Sequence, residues 1–249
     1  MLSFSLQGQQ VKRHQHGNAA EESERKKSLS ILKPKRPNYF LSLRISHHSE
    51  AVKAIELVQE SVVKYNTTLK GALVDPISAH LTLLVMTLET EDEVQHAVNT
   101  LEAMKRLPVL QTKLSLTLKG LSSFRNQVLY LDVHADDHRQ KVEHLATTCM
   151  QVFQSAGLVD EKSGNHSNFT PHVTVAKLSK LRQRKQKGAR KIGPGAYEDH
   201  IDIKVDGVEI NEIQLCRMNG PKADDGFYYA AGSVRLGDEN EQCSFSYVH

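Results

Sequence analysis

The sequence predicts an α+β fold built as two pseudo-symmetric lobes around a central cleft. Three observations predict it. Short alternating apolar runs recur between stretches with helical apolar spacing. The order strand, helix, strand occurs twice, over residues 39–85 and again over 128–176. Each copy closes on the same four-residue pattern, His80-Leu81-Thr82-Leu83 and His172-Val173-Thr174-Val175, which lie 172 − 80 = 92 positions apart. From strand start to histidine the spacings are 80 − 39 = 41 and 172 − 128 = 44, so the repeat is one of architecture rather than sequence.

The elements follow in order. Residues 39–45 read as a strand. Ser49 or Glu50 opens a helix with Val52, Ile55, Val58 and Val62 on one stripe. Residues 79–86 form the strand that carries the first motif. Thr90 and Glu93 have capping-box spacing, and Val94, Ala97, Val98, Leu101 and Met104 turn one face of the next helix inward. Residues 114–118 alternate as a strand, and 127–133 form another. Asp136 or Asp137 caps a helix with Val142, Leu145, Cys149, Val152 and Phe153 at helical spacing, and Gly157 ends it. Pro171 precedes the second motif strand. Residues 208–217 and 227–234 close the fold as two further strands.

The chain has 249 residues, 39% of them hydrophobic and 24% charged, which suits one large domain or two lobes. Residues 1–36 are polar, lack apolar periodicity and read as a disordered basic segment. Its clusters Arg25-Lys26-Lys27 and Lys33-Pro34-Lys35-Arg36-Pro37 suit either a solvated tail or a nuclear import signal. Residues 37–235 form the folded domain, and 236–249 a short flexible tail. No apolar run has the length of a membrane span and no signal-peptide core is present, so a cytoplasmic or nuclear location is expected. Cys149, Cys216 and Cys243 are far apart and in no CxxC pattern, which speaks against a zinc site or a disulfide frame. The net charge of +3 permits an anionic ligand without demanding nucleic acid. Residues 177–191 hold eight lysines and arginines and no acid; they read equally as a solvated helix or as a rim that attracts polyanions.

The repeated motif carries the chemistry. Side chains alternate along a strand, so His and Thr point to one face while the aliphatic pair points into a core. One His-x-Thr is an ordinary event in a strand. Two in matching contexts would bring two imidazoles and two hydroxyls, His80, Thr82, His172 and Thr174, into one cleft. A neutral imidazole can take a proton from an attacking hydroxyl while a protonated one gives a proton to the leaving oxygen. Imidazoles titrate near about 6.5, so both forms exist at neutral pH. The threonines would hydrogen-bond the non-bridging phosphate oxygens. No metal and no cofactor is required. Phe40, Tyr228 and Tyr229 are candidate base-stacking residues, each also suited to a core.

The two motifs, with Arg36-Pro37-Asn38-Tyr39-Phe40-Leu41-Ser42, the flanks Thr170-Pro171 and Ala176-Lys177, Leu215-Cys216-Arg217-Met218 and Gly226-Phe227-Tyr228-Tyr229, carry a resemblance. The chain resembles the 2H (two-histidine) phosphoesterase superfamily, LigT-like in fold, and within it the phosphoesterase-like domain family of A-kinase anchor protein seven and its relatives. The resemblance covers roughly residues 35–235. It implies adenosine nucleotide binding, with AMP or a short oligoadenylate as ligand, and in some members cleavage of 2′,5′-linked oligoadenylates. A non-catalytic AMP-binding module and a protein kinase A adaptor are the alternative expectations. Anchoring members dock the kinase regulatory subunit through an amphipathic helix after this domain; residues 236–249 hold no apolar stripe long enough for that.

Overall fold

The computed structural model describes residues 36–159, 169–183 and 189–237. Eight strands form one sheet: β1 (Tyr39–Arg44), β2 (His80–Met86), β3 (Leu114–Phe124), β4 (Val128–Val133), β5 (His172–Lys177), β6 (Lys204–Ile210), β7 (Glu212–Arg217) and β8 (Ala230–Arg235). Their order is β6-β3-β4-β5-β2-β1-β7-β8, and every pairing is antiparallel. The two expected lobes are the halves of this sheet, and they meet where the two motif strands lie side by side. Helix α1 (Ser49–Tyr65) links β1 to β2, α2 (Glu91–Ala103) follows β2, α3 (Asp137–Ser155) links β4 to β5, and the short α4 (Ser179–Gln183) follows β5. The expectations for residues 1–35, for the tail from 238 and for Cys243 lie outside the described residues.

Helix starts are set locally. Thr90 and Glu93 form the reciprocal capping box that their spacing predicts. Asp136 caps α3 by accepting from the Arg139 amide at 3.0 Å. Gly157, at φ +73°, carries the turn that ends it. At α1 the cap is His48 rather than a later residue. The inward stripes Ile55, Val58 and Val62, Ala97 and Leu101, and Val142, Leu145 and Phe153 share one core with Leu41, Leu43, Leu81, Leu83, Val173 and Val175 from the strands. Each such fully buried aliphatic side chain contributes about 1.5–3 kcal/mol. Val52, Val94, Val98 and Val152 are only partly buried, at the margins of their stripes.

Both motif strands break alternation in the same way. β2 and β5 read partly buried, buried, partly buried, buried, buried from the histidine onward. The partner registers shift at Leu41/Ser42 and at Leu129/Tyr130, the mark of a β-bulge. Leu83-Leu84 and Val175-Ala176 therefore both face the core, and the histidine and threonine keep the opposite face.

One expected strand is two. Residues 208–217 split at Asn211: β6 pairs with β3 in one half and β7 with β1 in the other. The phase of the apolar positions flips there, from Val208 and Ile210 to Ile213 and Leu215, which one flat strand cannot satisfy. The split also bends the sheet. β6 and β7 are six positions apart in the strand order, about 29 Å in a flat sheet at about 4.8 Å per strand. A single intervening residue spans only about 7 Å. The sheet therefore curls until its β6 edge stands beside the opposite half. Smaller differences are at the ends: β3 runs on to Phe124, and the last strand begins at Ala230 rather than Phe227.

Candidate active site

Leu81 faces Val173 across the β2–β5 junction. Antiparallel partners keep the sum 81 + 173 = 254, so His80 lies opposite Thr174 and Thr82 opposite His172. The structure thus brings the four motif residues together as a square on one face. Each histidine sits across from a threonine and diagonal to the other histidine, positions whose backbones are about 7–8 Å apart in an antiparallel pair. Beyond this contact the two strands part. The Val74 amide donates to the Val175 carbonyl at 3.0 Å, and the buried Gln59 amide donates to the Val74 and Val175 carbonyls at 2.5 and 3.0 Å.

The two rings are held identically. His80 Nδ1 lies 2.7 Å from the Ser78 carbonyl, and His172 Nδ1 2.8 Å from the Thr170 carbonyl, each two residues back along the chain. A carbonyl only accepts, so each Nδ1–H donates and each Nε2 carries the exchangeable site. Among the described residues neither Nε2 nor either threonine hydroxyl has a hydrogen-bond partner.

Around this symmetric centre the surroundings differ. Cross-strand from His80 stands Arg44, and cross-strand from His172 stands Asp132. His80 packs against Phe40 (centroids 4.8 Å), Tyr228 (5.3 Å) and Phe227 (6.5 Å). Burial pushes its pKa down to about 4, and the charges of Lys177, His172 and Lys222 act in the same direction. His172 packs edge-on against Phe124 (5.0 Å) and beside Tyr130 (5.1 Å). Burial lowers its pKa too, while the bond to Thr170 and the Asp132 charge offset part of that. Asp132 is itself held by Arg139 at 3.0 Å.

Of the candidate stacking residues, Phe40 is 2% exposed and packed with Cys216 and Phe227. It packs against the His80 ring, in the core role that the sequence also allowed for it. Tyr228 stands edge-on to His80, with Lys222 Nζ 3.1 Å above its ring. Tyr229 points away and is 54% exposed, as expected of adjacent positions in extended chain. Sequence reasoning missed Arg44, Phe124, Tyr130, Asp132 and Lys222. Alternation in β4 could have found Tyr130 and Asp132, which share a face. Phe124 was hidden because Lys119-Gly120 reads as a strand end, whereas Gly120 at φ +83° bulges and the strand continues.

The face has a further order. Asp132, His172, Thr82, Ser42, Gln214 and Ser233 form one polar row across six strands. The Ser42 hydroxyl is fully buried beside the Cys216 thiol, with no oxygen or nitrogen partner among the described residues.

Paired His-x-Thr strands at the centre of an antiparallel α+β sheet define the two-histidine phosphoesterase class. The chain belongs to the AKAP7 2′5′ RNA ligase-like domain family, whose model matches residues 37–236. It is 33% identical over 233 residues to human A-kinase anchor protein 7 isoform gamma, covering 92% of this chain. The match spans 66% of that relative's length. Among solved structures the fold is similar to the TT0787 protein of Thermus thermophilus, with TM-score 0.54 and 19% identity over 82% of this chain and 100% of that one. Escherichia coli LigT, solved with NADP+, matches at TM-score 0.47 and 15% identity over 81% of this chain and 98% of that one. Among the described residues no helix is long and apolar enough to cross a membrane.

Proposed function

We propose that this chain is a metal-independent phosphodiesterase acting on nucleotide diesters, with 2′,5′-linked oligoadenylates as its substrates. The observation that carries the reading is the matched presentation of two imidazoles, each pinned through Nδ1 to a backbone carbonyl, beside two unengaged threonine hydroxyls. The membership in a 2′5′ RNA ligase-like family supports the linkage.

His80 is the general base and His172 the general acid. Burial, with the charges of Lys177 and Lys222 beside it, favours the neutral His80 ring, which accepts a proton at Nε2. Burial lowers the His172 pKa as well, but the aspartate across from it offsets part of that and helps hold the proton that this ring donates from Nε2. As the nucleophile's oxygen bonds to phosphorus, its proton passes to His80. As the bond to the leaving oxygen breaks, that oxygen takes the His172 proton. Exchange with solvent resets both rings. Thr82 and Thr174 donate to the non-bridging oxygens, whose charge grows in the transition state. Lys177 and Lys222 attract the anion. Phe124, 37% exposed beside His172, and the Tyr228 ring offer the aromatic walls against which bases rest.

Incubation with 2′,5′-linked triadenylate and with its 3′,5′-linked isomer, followed by chromatography, tests the reading. We expect the 2′,5′ compound to be consumed, and equally so in EDTA, because imidazoles carry both proton transfers. Binding without any product would instead identify a nucleotide-binding module.

A further inference from the structure

On the β1–β7–β8 side of the sheet lies a cavity of about 650 Å³ that the proton transfers do not use; of its lining residues, Arg44 is the cross-strand partner of His80. Its walls include Arg44, His47, Lys113, Glu212 and Arg235. The strand registers explain why these charges gather. Glu212 is paired with Arg235, and the β1–β7 sum 42 + 214 = 256 puts Arg44 opposite Glu212. Arg44, Glu212 and Arg235 therefore stand in one row, on the row that begins with Thr174 and His80. Lys113 comes from the segment before β3, brought here by the curl of the sheet.

The cations in this cavity are not equivalent. Arg44 is a fixed wall: it pairs with Asp225 at 2.6 Å, donates to Ser46 at 3.0 Å and lies 4.3 Å over the Phe227 ring. Lys113 and Arg235 are exposed, and neither has an ion-pair partner among the described residues. Together they outweigh Glu212. His47 is turned aside, its Nε2 donating to the Glu209 carbonyl at 2.7 Å.

We propose that this cavity is a second anion subsite, which holds a terminal phosphate of an oligonucleotide whose diester lies between His80 and His172. The proposal rests on the phosphodiesterase reading and narrows its substrate to short oligonucleotides carrying an end phosphate. Measured along the sheet from the β2–β5 junction, Arg44 is about 7 Å away and Arg235 at most about 17 Å, at about 4.8 Å per strand. A mononucleotide seated with its phosphate between the imidazoles cannot reach that far with the same group. An oligonucleotide can, with a phosphate at one of its ends. Charge-assisted contacts from a lysine and an arginine favour such a group over a hydroxyl.

The test measures equilibrium binding by calorimetry to the His80→Ala/His172→Ala protein, so that it reads the cavity without turnover. The ligands are 2′,5′-linked diadenylates with no end phosphate, with a 5′-phosphate and with a 2′-phosphate. We expect one phosphorylated ligand to bind about tenfold tighter than the plain one, the scale of one charged contact. We expect this preference to vanish in a protein that also carries Lys113→Ala and Arg235→Ala, and to shrink in high salt. Equal binding of all three ligands, or a preference that survives those two substitutions, would overturn the subsite. Failure of the wild-type protein to cleave any of them would overturn the phosphodiesterase reading, while the binding ratio would still decide the cavity.

Discussion

Lys222 acts against a proton on His80 while Asp132 acts in favour of one on His172, so two rings with the same backbone anchor carry different electrostatic surroundings. This asymmetry sets the pH dependence. A base works neutral, so activity on the acid side falls only as pH approaches the His80 value of about 4. An acid works protonated, so activity on the alkaline side falls as pH rises through the His172 pKa. Burial lowers that pKa from 6.5, so the descending limb of kcat/KM should lie below about pH 6.5. Asp132→Asn removes a charge that holds the proton on His172, and should move this limb to lower pH. A limb that stays in place would separate Asp132 from the acid. The histidines and threonines were legible because each motif is local. Their flanks were not: Arg44 and Asp132 are made neighbours by register, which no short pattern encodes.

At the level of elements, the bulges and the β2–β5 junction shape the site. The junction is narrow, and beside it Gln59, 8% exposed, ties the Val74 segment that precedes β2 to β5 by donating to the Val74 and Val175 carbonyls. Gln59→Leu would leave the buried Val74 carbonyl without its donor, at a cost of about 1–3 kcal/mol. Urea unfolding should show a lower midpoint with little change in slope, and an unchanged midpoint would remove Gln59 from this role. Helix positions and the Thr90 and Asp136 caps were readable because apolar spacing and capping pairs act within a turn, whereas the His48 cap of α1 was not. The doubled apolar positions Leu83-Leu84 and Val175-Ala176 signalled the bulges, but a strict period-2 reading passes over them. The same reading fused β6 and β7, although the apolar phase changes at Asn211.

At the scale of the whole molecule, the repeated order of elements becomes a pseudo-twofold arrangement about the β2–β5 junction, and the curl of the sheet then breaks the equivalence of its halves. The repeat predicted the fold class and the shared cleft. It did not predict the curl, which follows from one residue joining strands that a flat sheet would hold far apart. That curl brings Lys113 to Arg235 and so creates the second basic cavity. The central claim is that His80 and His172 act in a single step. Its most direct measurement is kcat/KM for 2′,5′-linked triadenylate in wild type, His80→Ala, His172→Ala and the double variant, with circular dichroism to verify folding. Each single variant should lose about 10²–10⁴-fold, and the double no more than the worse of the two, because groups that act together are not additive. Wild-type turnover in either folded single variant would contradict the account.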